Sequence, residues 1–175
     1  SSFSRGCGLL SVQNGKPSLI YTNGLMHSHL SPGILLGEYL YAFNGEAKQE
    51  TDLRCFHVPT GEVKWSRKDP AFGSLIMADG KLIILSDKGE LLLAEASPSA
   101  FTPLARAKVL SGVCWTPPAL ADGQLYVRNA KGDLDGLDRR NDADHHCQHQ
   151  RGGGDGAELR DVTPVFRVPD PRHQP

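Results

Sequence analysis

No stretch of this 175-residue chain approaches the roughly 18 consecutive apolar residues that a membrane-spanning helix needs, so no span is expected. The opening Ser1-Ser2-Phe3-Ser4-Arg5 has no charged segment leading into an apolar one, so no signal peptide is visible. An excess of either charge is also missing. Nineteen Lys and Arg stand against 20 Asp and Glu, a formal net charge of -1, which removes a field-driven nucleic-acid partner. The four cysteines, Cys7, Cys55, Cys114 and Cys147, never form C-x-x-C, which argues against a zinc knuckle or a thioredoxin-like redox pair. Cys55 and Cys114 are expected to be buried free thiols, with a disulfide between them left open. Sustained apolar spacing at 3.6 residues is absent too. The best helix-forming window, residues 91–110, contains Pro98 and Pro103, and each removes a backbone donor, so it reads as strand, loop and outer strand.

What the chain does have is a period. Leu36-Gly37-Glu38-Tyr39-Leu40-Tyr41 recurs as Asp79-Gly80-Lys81-Leu82-Ile83-Ile84 and as Asp122-Gly123-Gln124-Leu125-Tyr126-Val127, with glycines at 37, 80 and 123. A second glycine pair, Gly89 and Gly132, has the same 43-residue spacing. Self-similarity at 40 to 50 residues points to a propeller or solenoid. Within each copy, apolar runs of strand length alternate with Asp-Gly and Asp-Lys-Gly turn chemistry. The runs Leu82–Leu85 and Leu91–Ala94 are apolar at consecutive positions, a pattern that requires both faces of the sheet to be covered, as in stacked propeller blades. Asn14-Gly15 predicts a two-residue turn between Leu9–Val12 and Leu19–Tyr21, the outer hairpin of a preceding blade. The expected fold is therefore all-β: a partial propeller of about three to three and a half four-stranded blades over residues 1–138.

One copy carries a more specific mark, Cys55-Phe56-His57-Val58-Pro59-Thr60-Gly61-Glu62-Val63-Lys64-Trp65. It resembles the tryptophan-docking repeat of the pyrroloquinoline quinone (PQQ) propeller superfamily, Ala-x-Asp-x-x-Thr-Gly-x-x-x-Trp. Cys55 stands at the Ala position and His57 at the Asp position. The stretch from Asp52 to Leu134 is similar to the C-terminal blades of bacterial PQQ-like propeller proteins related to the propeller lipoprotein of the outer-membrane assembly machinery. The resemblance implies that Thr60 and Gly61 make a turn between outer strands and that Trp65 fills an inter-blade gap. His29, Phe72 and Trp115, again 43 apart, are candidate channel-lining residues at the starts of inner strands.

After Leu134 the third copy weakens. Asp135 and Gly136 take positions filled by Leu92 and Leu93 in the second copy, so the strand is expected to fray. Residues 139–175, with Gly152-Gly153-Gly154 and few apolar side chains, have the composition of a disordered tail. Its Asp144-His145-His146-Cys147 and His149 include metal-ligating types, but the spacing fits no closed four-ligand site, so no metal role is expected.

No nucleophile-base pair, phosphate-cradling glycine loop or pair of catalytic carboxylates stands out. The functional expectation is a non-catalytic binding or scaffolding propeller whose partner is another protein, a polymer or the remaining propeller blades. The resemblance adds a periplasmic or envelope location. No cofactor is expected. The competing reading is a fragment of a PQQ-dependent dehydrogenase, which would bring PQQ with calcium; the adjacent cysteines common in such enzymes are missing. A WD-repeat propeller is set aside because neither Gly-His nor Trp-Asp occurs.

Overall fold

A computed structural model describes residues 6–28, 31–45, 50–70 and 72–138. All regular elements among them are strands: β1 Cys7–Gln13, β2 Lys16–Asn23, β3 Ile34–Leu36, β4 Tyr39–Asn44, β5 Asp52–His57, β6 Glu62–Arg67, β7 Gly73–Ala78, β8 Lys81–Ser86, β9 Glu90–Glu95, β10 Pro103–Lys108, β11 Ala119–Ala121, β12 Gln124–Arg128 and β13 Leu134–Asp138. They form antiparallel sheets in chain order: the hairpin β1-β2, the four-stranded β3-β4-β5-β6 and β7-β8-β9-β10, and the three-stranded β11-β12-β13. These meander sheets resemble propeller blades, as the period predicts. The chain divides into two compact units, Ser1–Phe72 with Ala96–Thr102, and Gly73–Glu95 with Pro103–Pro175.

Turn chemistry sets the hairpins. Asn14-Gly15, Asp79-Gly80 and Asp122-Gly123 all have positive φ at both positions, the type I′ geometry that matches strand twist. At Gly37-Glu38 only the glycine has positive φ, the type II′ pattern. The register places Leu36 opposite Tyr39, Ala78 opposite Lys81 and Ala121 opposite Gln124. Gly37 therefore occupies the first turn position, while Gly80 and Gly123 occupy the second. Equivalent strand starts, Tyr39, Lys81 and Gln124, are 42 and then 43 residues apart, so the glycine spacing of 43 is one residue out of step at its first interval. Gly89 and Gly132 do correspond: each has positive φ and donates its amide to a carbonyl three residues back, Ser86 and Asn129.

The first unit has a core of Met26, Ala42 and Phe56, with Cys7, Tyr21, Leu40, Val58 and Val63 packed against it, so one face of the β1-β2 hairpin covers the β3–β6 sheet. In the second unit Ile83, Leu85, Leu91 and Leu93 pack with Leu125, Val127, Leu110 and Cys114, joining the β7–β10 sheet to the β11–β13 sheet. Cys55 and Cys114 are free and buried, as expected, and burial pushes both thiols above their ordinary pKa.

Two sequence expectations are corrected. β13 does not fray at Asp135: it pairs with β12 from Leu134 opposite Arg128 through Asp138 opposite Gln124. The ladder is made by backbone groups, which the side-chain identities at 135 and 136 do not remove. Trp115 is not at a strand start either. β11 begins at Ala119, because Pro117 and Pro118 have no amide to donate to the ladder. Residues 139–175, including the His-rich cluster, lie outside the described residues.

Candidate functional site

The tryptophan-docking motif forms a built corner in the first unit. β5 and β6 are joined by a turn in which the Gly61 amide donates to the His57 carbonyl at 2.9 Å, with Gly61 at φ +74°. His57 Nδ1 lies 2.7 Å from Thr60 Oγ1, so the histidine at the motif's Asp position still links to the threonine. Its Nε2 lies 3.4 Å from Glu38 Oε2, and its ring is 5.1 Å from that of Tyr39. The β1-β2 hairpin docks on this turn: the Tyr21 hydroxyl donates to the Val58 carbonyl and Asn23 Nδ2 to the Gly61 carbonyl at 3.2 Å. A Cβ at Gly61 would sit 2.7 Å from Asn23 Nδ2, so a side chain here would displace the Asn23 amide as well as meet the strain of the positive φ.

Trp65 follows on β6. Its indole donates to the Ser97 carbonyl at 2.8 Å, and its ring lies 5.9 Å from Tyr41 and 5.6 Å from Phe101, with the Arg67 guanidinium 5.9 Å from the Phe101 ring centre. The structure thus brings Gly61 and Trp65 together with residues more than thirty positions away in sequence, while Thr60 is held locally by His57.

Sequence reading missed a repeated polar position. Asn44 and Ser86 end the second strand of their sheets and Asn129 directly follows it in the third; all three are buried. Asn44 Oδ1 accepts from the His27 amide at 2.8 Å. Ser86 Oγ accepts from the Glu90 amide at 3.0 Å. Asn129 Oδ1 accepts from the amides of Lys131 and Asp133, while its Nδ2 donates to the Ser111 carbonyl. Each secures the hairpin or the incoming connection. The signal was present as a polar residue closing the runs YLYAFN, KLIILS and QLYVRN, but it is a property of residue class rather than of identity.

Asn44 Nδ2 also donates to Asp52 Oδ1 at 2.7 Å, and Arg54 Nε to Oδ2 at 2.6 Å, with Ser66 adding a third bond and Arg54 reaching on to the Leu25 carbonyl. Burial alone would raise the Asp52 pKa, but the hydrogen bonds from Arg54, Ser66 and Asn44 and the Arg54 charge together hold it below its ordinary 3.8. A depressed folded-state pKa means that this carboxylate's stabilisation is complete above about pH 4 and is lost as pH falls through the lower folded value. Chemical denaturation between pH 5 and 2 is expected to show a steeper acid loss for the parent than for Asp52→Asn.

The other candidates are placed singly. Phe72 packs its ring 6.1 Å from Phe43 in the first unit. Trp115, in the second unit, is 67% exposed in the connection before β11. His29 lies outside the described residues. Among the described residues no group of three or more His, Cys, Asp or Glu converges as a metal site. Among the described residues, the outward face of β1-β2 is an uncovered apolar surface. Leu10 pairs with Leu19 and Val12 with Pro17 on that face, and Leu10, Val12 and Leu19 are 58%, 67% and 61% exposed.

No family model matches the chain, and no curated protein matches it. Solved structures do. BamB from Moraxella catarrhalis aligns with a TM-score of 0.58 and 17% identity over 75% of this chain and 40% of its own. The quinohemoprotein alcohol dehydrogenase from Comamonas testosteroni aligns at 0.52 and 11% over 66% of this chain and 20% of its own. A europium-containing methanol dehydrogenase aligns at 0.50 and 12% over 70% of this chain and 25% of its own. The chain thus spans well under half the length of these proteins, and at such identities the likeness is one of fold. Over most of its length, the chain has the fold of the PQQ-type β-propellers.

Proposed function

We propose that this chain is a non-catalytic propeller module that binds another protein in the periplasm or cell envelope. The observation that carries the reading is the outward face of the β1-β2 hairpin, where Leu10, Val12 and Leu19 stand exposed side by side. Contiguous exposed apolar side chains on a rigid strand pair mark contact surfaces rather than solvated ones. The opposite face of the hairpin already packs on a sheet through Cys7 and Tyr21, so the partner that fits the outward face is a further apolar β-sheet, such as another propeller blade. The envelope location follows the fold resemblance.

The likeness to two quinoprotein-type dehydrogenases favours a second reading, a fragment of such an enzyme. A quinone with calcium needs converging oxygen donors beside an aromatic platform. Trp115 is exposed, and among the described residues no three His, Cys, Asp or Glu converge, so no step is derived through the pair.

The two readings separate in one set of measurements on the purified protein. Leu10→Glu/Leu19→Glu is expected to abolish most of the fluorescence enhancement of an anilinonaphthalene sulfonate probe while leaving the melting temperature nearly unchanged. Added PQQ and calcium are expected to give neither a shifted quinone absorbance nor dye-linked alcohol oxidation. Probe binding that survives the double substitution sinks the binding-face reading, and alcohol oxidation establishes the enzyme.

A further inference from the structure

We propose that Asn14 is a site of spontaneous covalent modification, losing its side-chain amide to become aspartate or isoaspartate, and that the fold confines this reaction to one of three chemically equivalent sequences. Asn-Gly occurs at Asn14-Gly15, Asn23-Gly24 and Asn44-Gly45. In each, the glycine nitrogen can attack the preceding side chain because no Cβ shields it. The new bond joins the glycine nitrogen to the asparagine Cγ, the Cγ–Nδ2 bond breaks, and the glycine's amide proton leaves with Nδ2 as ammonia. Water then opens the succinimide ring. Opening at one carbonyl leaves an aspartate, and opening at the other leaves an isoaspartate whose main chain runs through the former side chain.

The three sites differ in what holds them. Asn14 is exposed at the tip of the β1-β2 hairpin, and among the described residues its side chain has no hydrogen bond. A Cβ built on Gly15 would meet nothing within 4 Å, so the surroundings of the attack are uncrowded. Asn23 is fixed at both ends of its amide. Its Oδ1 accepts from Cys7 Sγ at 3.2 Å and from the Leu25 amide at 3.0 Å, while its Nδ2 donates to the Gly61 carbonyl at 3.2 Å. Asn44 is buried, with Oδ1 on the His27 amide and Nδ2 on Asp52. Its attacking nitrogen is engaged as well, since the Gly45 amide donates to the His27 carbonyl at 2.9 Å. Reaction at Asn23 or Asn44 requires at least two of these bonds to open first, each worth about fivefold in population, so Asn14 reacts about tenfold or more faster.

The hairpin tolerates the two products differently. Asn14 and Gly15 have φ of 50° and 74°, Asp79 and Gly80 have 49° and 66°, and Asp122 and Gly123 have 51° and 76°. Aspartate thus already fills the same turn at two other places in this chain, and at position 14 it changes only the charge. Isoaspartate instead adds a main-chain carbon to a two-residue turn whose type I′ geometry holds Gln13 opposite Lys16 and Val12 opposite Pro17. Its formation loosens the end of the ladder that also aligns Leu10 with Leu19.

The test is peptide mapping of the full chain by fragmentation mass spectrometry during incubation in mildly alkaline buffer, beside the same chain unfolded in urea. In the folded protein, amide loss is expected to be about tenfold or more faster at Asn14 than at Asn23 or Asn44, with similar rates at all three in urea. Equal rates in the folded protein, or an unchanged Asn14 where the unfolded chain reacts, overturns the proposal. Hydrogen exchange reads the products. Residues 9–13 and 16–20 are expected to exchange about tenfold faster in the isoaspartate fraction, while Asn14→Asp keeps the parent's protection. Isoaspartate-bearing protein that exchanges like the parent overturns the distinction between the products.

Discussion

Gly89→Ala is expected to destabilise the second unit by about 3 kcal/mol or more, while Gly132→Ala at the equivalent turn position costs about 1 kcal/mol. Both glycines have positive φ, +80° and +89°, and both close a four-residue turn, so an alanine meets the same backbone strain at each. They differ in what lies beyond. A Cβ on Gly89 would be 2.3 Å from the Leu110 carbonyl oxygen, a backbone atom, whereas at Gly132 nothing lies within 4 Å. The Gly89 carbonyl also accepts the amides of Val109 and Leu110, so moving the turn away disturbs the connection that carries buried Leu110 into the core. Urea unfolding of the two variants side by side checks this. Equal losses would mean that φ strain alone sets the cost.

Trp65→Ala is expected to cost the first unit about 2–3 kcal/mol, below the usual figure for a fully buried tryptophan because this ring is only partly covered. Trp65→Phe is expected to cost about 1 kcal/mol, the loss of the hydrogen bond to the Ser97 carbonyl with the contacts to Tyr41 and Phe101 largely kept. Trp115→Ala, at a 67% exposed position, is expected to stay within about 0.5 kcal/mol. Fluorescence separates the two indoles. Trp115→Ala leaves the emission of a shielded Trp65, which shifts red on unfolding, so the same variant reports the melting of the motif's surroundings. A Trp65→Ala protein as stable as the parent would remove the docking motif as a source of stability.

Much of the architecture was legible because turn chemistry is local. Asn14-Gly15, Asp79-Gly80 and Asp122-Gly123 announce their hairpins by themselves, since two consecutive residues at positive φ call for these types whatever surrounds them. The same locality explains the one-residue slip at Gly37. A type II′ turn needs its glycine first and a type I′ turn needs it second, so aligning glycine with glycine displaced the first copy. The corner was half legible. Thr60-Gly61 and Trp65 could be read from their spacing, but that His57 would keep the link to Thr60, or that Ser97 and Phe101 would receive the indole, depends on atoms far away in the chain.

By its own pattern of apolar runs and turn residues, the chain determined that it would be strands, where most of them would bend back, and roughly how often the unit would recur, because strand and hairpin formation are governed by neighbours a few positions away. Tertiary structure alone decided that Asn44, Ser86 and Asn129 would be buried and bonded, that Asp135 would remain in a ladder, and that Leu10, Val12 and Leu19 would be left in the open. Burial is a property of what arrives from elsewhere in the chain, and a hydrophobic side chain reads the same in sequence whether a second sheet covers it or not.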